Sequence, residues 1–273
     1  MRLNKIALAL SFAAFAMPLT ALAQEAAATT EQAPAEEMQA EAPAAEAAAE
    51  AAPAAEAAAE EATSNLSWNL AVTSDYVFRG ITQTNFDPAV QGGLDYAFGD
   101  SGFYVGAWAS NIDFNDPDGP DIELDTYVGY STDMSEGWNL DLHAVRYNYL
   151  GERDVYGSLD YNEYFAAVTW SEMLTFTVAY ANDYANLDFS SLYYGLTGSW
   201  DAGNDFAINA GIGHSEFSDD VGSYNDWTIG VSRQFGPMNV ALGYFDTTGD
   251  YVDALYGGDK ASDSVVLTLS FGG

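Results

Sequence analysis

The sequence contains no cysteine, which excludes a disulfide framework and any thiolate metal site. It is also poor in positive charge. Seven Lys and Arg stand against 41 Asp and Glu, a net charge of −34. Phosphate backbones need a basic surface, so nucleic acid is excluded as a partner. Histidine occurs only as His143 and His214, which leaves little material for imidazole chemistry. Beyond the first residues, no apolar run approaches the roughly 18 residues of a membrane helix. What the chain has in quantity is aromatic: 14% of residues, with 18 Tyr. Tyrosine suits strands and the boundary between apolar and wet surroundings.

Met1–Ala23 reads as a signal peptide. Arg2 and Lys5 form the charged start, Ile6–Met17 the apolar core, and Ala21-Leu22-Ala23 the small-residue cleavage site. A short membrane anchor is the alternative, and the apolar run is short for it. Residue 24 is Gln, so lipid attachment through a cysteine is excluded. The chain is expected to leave the bacterial cytoplasm. Residues 24–63 are Ala, Glu and Pro, with no aromatic and no basic residue; APAAEAAAEA at 42–51 returns as APAAEAAAEE at 52–61. Pro43 and Pro53 interrupt helix, and like charges repel along the tract. It is expected to be a periplasmic spacer. It is either a tether toward the cell wall or a linker without a specific partner.

From Ser64 onward apolar and polar residues alternate in segment after segment, the period of strands with two unlike faces. Twelve such segments are expected, near 66–78, 88–98, 102–111, 121–131, 138–149, 161–170, 174–184, 191–200, 205–215, 225–235, 238–245 and 264–271. Their connections fall into two classes. Gly99–Ser101, Thr132–Gly137, Ser171–Met173, Asp201–Asn204 and Gly236-Pro237 are short turns. Arg79–Asp87, Ile112–Pro120, Leu150–Asp160, Ala185–Ser190, Glu216–Tyr224 and Asp246–Asp263 are longer links. Long and short alternate throughout. A membrane barrel sorts its connections in this way, with short turns at the periplasmic end and long loops outside. The expected fold is therefore all-β: an antiparallel transmembrane β-barrel of about 12 strands over 64–273, behind a low-complexity spacer.

Aromatics reinforce this reading. Trp68, Phe98, Phe103, Tyr130, Trp138, Trp170, Trp200, Phe206, Phe235 and Phe271 all fall near the short-turn ends, each on its strand's more apolar face. Rings at one level on an outer face form an interfacial girdle. The opposite faces carry small polar residues such as Thr175, Thr177, Thr197, Ser199, Thr268 and Ser270, which suit a water-filled interior. Arg146 and Arg233 share parity with apolar neighbours. Each lies near a strand end, where a long side chain can snorkel.

The same parity turns Asp75, Arg79, Asp95, Glu123, Asp125, Asp141, His143 and Glu163 inward. Six carboxylates against one arginine would make the lumen negative and favour cations. The alternative is a structural network in which these groups pair among themselves, Arg79 with Asp75 or Asp95. Twelve strands lie between a filled and an open barrel, so both readings stand. His143 shares a face with Asp141, a spacing that can orient an imidazole, but no G-x-S-x-G accompanies it. Asp-rich Ile112–Pro120 and Asp246–Asp263 carry carboxylates of the kind that bind Ca²⁺, without the register of a calcium loop. No catalytic, cofactor or metal site is called for.

Ser74-Asp-Tyr-Val-Phe-Arg-Gly-Ile-Thr-Gln83, Pro88-Ala-Val-Gln-Gly-Gly-Leu-Asp-Tyr96 and Gly102-Phe-Tyr-Val-Gly-Ala-Trp-Ala-Ser-Asn111 resemble the TorF-type porin family of proteobacterial outer membranes. Asp121-Ile-Glu-Leu-Asp125 and Gly129-Tyr130 continue the match. It is specific over 64–131 and looser to 273. The resemblance implies an outer-membrane barrel, in contact with lipid and lipopolysaccharide, passing small hydrophilic solutes or cations without cofactor or catalysis. It carries over no solute. Phe271 departs from the terminal aromatic of outer-membrane proteins, since Gly272-Gly273 follow it. A homo-oligomer is compatible with the apolar outer faces. The competing expectations are a plugged structural or adhesive barrel tied to the envelope by its acidic spacer, and a barrel hydrolase.

Overall fold

The computed structural model describes residues 65–151, 158–249, 256 and 258–273. The expected signal peptide 1–23 and the whole spacer 24–63 lie outside the described residues, as do parts of the links at 150–160 and 246–263. Among the described residues fourteen strands occur in chain order: β1 (Leu66–Thr73), β2 (Val77–Phe78), β3 (Ile81–Thr82), β4 (Ala89–Ala97), β5 (Phe103–Asn111), β6 (Ile122–Ser135), β7 (Trp138–Leu150), β8 (Tyr161–Trp170), β9 (Leu174–Ala181), β10 (Ser191–Gly203), β11 (Phe206–Phe217), β12 (Gly222–Phe235), β13 (Met238–Thr248) and β14 (Ser264–Gly272). Twelve of them close into one antiparallel barrel, and β2 and β3 pair only with each other. Closure runs through β1, where Asn69 stands opposite Gly93 of β4 on one side and Gly272 of β14 on the other. No strand edge of the barrel is left unpaired, which is what a sheet needs in lipid.

The two faces differ as the alternation requires. Outward positions are large and apolar: Leu70, Leu94, Val128, Leu142, Phe176, Leu196, Ile212, Ile229, Leu242 and Leu267 are all exposed. A water-soluble protein would bury such a band; a membrane barrel presents it to lipid. The ring girdle sits at the short-turn end. Trp68, Phe98, Phe103, Trp138, Trp170, Trp200, Phe206, Phe235 and Phe271 are exposed there. Cross-strand contacts join several: Phe103 to Tyr130 at 5.0 Å and Trp138 to Trp170 at 6.3 Å.

Both outward arginines are accommodated at this surface. Arg233 lies 4.7 Å from the rings of Phe206 and Phe235, inside the girdle. Arg146 donates to Asp160 at 3.3 Å. A bare cation at the bilayer midplane would cost about 2–4 kcal/mol, falling toward zero near the interface.

The first strand departs from the sequence expectation. It ends at Thr73 rather than at residue 78, and the following segment enters the barrel. The segment Arg79–Asp87 is therefore not an outside loop over most of its length. The physical reason is its composition: Tyr76, Phe78 and Ile81 are at most 2% exposed, and they find their apolar surroundings inside.

Candidate functional site

The lumen has two unlike halves. Toward the long-loop end it is packed. Rings contributed by β7, β8, the β9–β10 loop, β11 and β12 form an arc: Tyr147–Tyr161 at 4.7 Å, Tyr161–Tyr184 at 4.9 Å, Tyr184–Phe217 at 5.5 Å and Phe217–Tyr224 at 6.3 Å. Toward the short-turn end the interior is small, polar and half-buried, with Asn69, Thr175, Thr177, Thr197, Ser199, Asn239, Thr268 and Ser270. The result is a cup, open at the short-turn end and stoppered at the other.

The stopper is the segment Ser74–Thr84. Val77–Phe78 and Ile81–Thr82 form a two-strand ribbon joined by Arg79-Gly80. Both turn residues have positive φ, 45° and 80°, the signature of a type I′ hairpin. Gly80 suits this conformation, and Arg79 is strained in it. The turn also sits against the wall: a Cβ on Gly80 would overlap the Thr247 side chain and stand 3.1 Å from the Asp226 Cβ. The base is tied down by Asp75, which accepts from Thr82 at 2.5 Å and Thr84 at 3.0 Å. Burial pushes the Asp75 carboxyl above its ordinary value, against the pull of those two hydrogen bonds.

All eight residues singled out from the sequence face the interior, in two groups. Asp75, Arg79, Glu123, Asp125 and Glu163 lie in the packed half, all of them buried. Arg79 donates through both terminal nitrogens to Glu163 Oε1 on β8, at 3.0 and 3.1 Å. Tyr147 donates to the other oxygen at 3.2 Å. The guanidinium is sandwiched between Phe78 and Tyr193, 4.5 and 4.0 Å from the ring centres. Its partner is thus neither Asp75 nor Asp95, because the hairpin carries Arg79 across the lumen and away from its own strand. Tyr76 donates to Glu123 at 3.1 Å, and Glu123 and Asp125 lie two apart on the inner face of β6. Neither makes an ion pair among the described residues. Glu123 and Glu163 have no exposed surface, so in this conformation they do not touch lumen water.

Asp95, Asp141 and His143 form the second group, lower in the cup. Tyr127 donates to Asp95 at 2.5 Å and Tyr104 to Asp141 at 2.8 Å. The tyrosines are placed by glycines on the neighbouring strands: each ring covers the spot where a Cβ on Gly106 or Gly129 would be. Asp141 also holds His143 Nδ1 at 2.5 Å, and the imidazole stacks on Phe165 at 4.5 Å. This orients the imidazole as the sequence spacing allowed.

Sequence reasoning missed Tyr147, Tyr193 and Asp226, although they share the inward parity of their strands, and it missed Tyr76, whose parity is opposite to that of Asp75 and gave no signal. Outside the barrel wall, Lys260 donates to the Phe114 carbonyl at 2.6 Å, joining two long links over the mouth. In the link at 112–120, Asp113 and Asp116 accept from the Asn115 and Asp118 backbone amides at 2.6 and 2.8 Å.

The chain belongs to a family of bacterial proteins of unknown function, Gcw_chp, which it matches over residues 56–270. No curated protein matches it. Among solved structures it is similar to the KdgM porin at 5% identity and a TM-score of 0.43, covering 76% of this chain and 96% of that one. It is similar to the NanC porin at 10% identity and a TM-score of 0.46, covering 75% and 97%. LpxR from Salmonella typhimurium aligns at 10% identity and a TM-score of 0.41, covering 76% and 99%.

Proposed function

We propose that this member of the Gcw_chp family is a porin-like channel of the bacterial outer membrane, of the TorF type, that passes small hydrophilic solutes and prefers cations. The observation that carries the reading is the interior. The six carboxylates singled out above, joined by Asp226, and one arginine face the lumen of a closed barrel whose outer surface is apolar. Low-dielectric walls concentrate that negative field and lower the barrier to cations. The half-buried hydroxyls and amides of the open half offer hydrogen bonds to a hydrated solute without holding it. The long loops face outward, and the spacer lies in the periplasm. In this reading the interior takes no cofactor and carries out no chemistry, and its imidazole, held by Asp141 and stacked on Phe165, is structural. Current across a planar bilayer under a KCl gradient tests this. Discrete steps with a cation-selective reversal potential are expected; a chloride-selective one would reject the preference.

A second reading draws on the hairpin. A lumen stoppered by Tyr76, Phe78 and Ile81 also fits a barrel that conducts nothing and serves the envelope structurally. Persistent silence from a folded, inserted protein would favour it.

A further inference from the structure

Resting on the channel reading, we propose that the Ser74–Thr84 hairpin is a gate, latched shut across the lumen by Arg79 and Glu163.

The hairpin is built to move as a unit. β2 and β3 form a two-stranded sheet of their own, separate from the ladder of the barrel. Its tip is held by side chains. Going round the barrel from β1, Glu163 on β8 and Tyr193 on β10 each lie five strands away, in opposite directions. Arg79 therefore grips the far wall. The segment's backbone ties are at its two ends, from the Ser74 amide to the Leu267 carbonyl at 2.9 Å and from the Asp113 amide to the Gln83 carbonyl at 2.8 Å. Beyond it, Asn85 and Phe86 both have positive φ, 53° and 66°, and Phe86 is exposed. The mobile part thus has defined ends.

The surface beneath the hairpin separates a gate from a permanent stopper. A permanent stopper is best made apolar, because replacing a buried ion pair by well-packed apolar groups is commonly neutral or stabilising. Here the covered wall carries Glu123, Asp125, Glu163 and Asp226. These carboxylates gain hydration when the hairpin leaves, and they then line the path. Strain at Arg79 adds to the same bias, since backbone strain persists at switch segments only while other contacts enforce it. The latch and the apolar packing of Tyr76, Phe78 and Ile81 hold the shut state; hydration of the acids and relief at the turn favour the open one.

The native chain has no cysteine, so an engineered bridge is read without background. Gly80→Cys with Thr247→Cys places two thiols where a Gly80 Cβ would meet the Thr247 side chain. In a Glu163→Gln background the open fraction should rise on the order of a hundredfold over the native chain, the size of effect expected from losing one partner of a buried ion pair. Oxidation of the cysteine pair should then abolish the steps, and reduction should restore them in the same membrane. Restoration on reduction shows that the protein was folded throughout. Steps that persist unchanged after verified oxidation would overturn the gate while leaving the channel intact. If the reduced protein, and a variant with residues 76–83 replaced by a short Gly-Ser linker, are both inserted and silent, the channel reading itself fails, and the gate with it.

Discussion

Arg79 and Glu163 meet at the far inner wall of the barrel, 84 positions apart in sequence and both buried. Leaving one of them unpaired is expected to release the hairpin locally and to leave the barrel folded. With Glu163→Gln, hydrogen exchange at the amides of residues 77–82 should quicken on the order of a hundredfold, while the ladder of β10–β12 keeps its protection. Uniform loss of protection across the barrel would show that the pair holds the fold rather than the hairpin.

Glu123 and Asp125 sit under Tyr76 and become part of the path when it opens. Glu123→Gln combined with Asp125→Asn is expected to lower the cation-to-anion permeability ratio several-fold, without changing the number of inserted channels. Reversal potentials in a salt gradient measure this. An unchanged ratio would place selectivity elsewhere, with Asp95, Asp141, Glu163 and Asp226 as the other inward acids.

Asp75 makes the hairpin sensitive to pH. Burial raises its pKa from the ordinary 3.8, Asp87 adds to the rise, and the hydroxyls of Thr82 and Thr84 oppose it. The inserted hairpin therefore binds protons more tightly than the released one. Its insertion is strongest in acid and weakens as pH climbs from the ordinary carboxylate range through the raised value. Opening should increase over that interval. Asp75→Asn should flatten its share of the dependence, measured as open fraction against pH; an identical profile in the variant would remove Asp75 from the account.

Trp138 and Trp170 pack against each other at the short-turn end of β7 and β8, their rings tilted by 42°. Replacing both by Ala removes two interfacial anchors, and bilayer stability is expected to fall by about 1–3 kcal/mol. Urea titration of the refolded protein in vesicles reads this directly. The same stability as native would mean that the girdle does not set the depth of insertion.

Much of the wall could be read from alternation alone. Leu66–Thr73, Tyr161–Trp170 and Leu174–Ala181 show the two-residue period plainly, because one face meets lipid and the other the lumen. The girdle was legible for the same reason. Parity also turned Asp95, Glu123, Asp125, Asp141, His143 and Glu163 inward. Parity says which way a side chain points and nothing about what meets it across a cavity. The pairing of Arg79 with Glu163 depends on a loop folding into the barrel, a long-range event with no local period. Tyr76, Val77 and Phe78 look like the end of a long strand, so the sequence places 66–78 in one strand and Arg79–Asp87 in the loop after it. The Arg79-Gly80 pair was the available signal: a glycine following an exposed-looking residue between two short apolar pairs fits a tight hairpin.

The most direct test of a barrel shut by its own first loop is a comparison of single-channel currents. The native chain would be set against the variant with residues 76–83 replaced by a short Gly-Ser linker, both refolded into the same bilayer. The account predicts rare, brief steps from the native chain and sustained, larger, cation-selective current from the variant. Equal currents from the two proteins would contradict it, because the hairpin would then obstruct nothing.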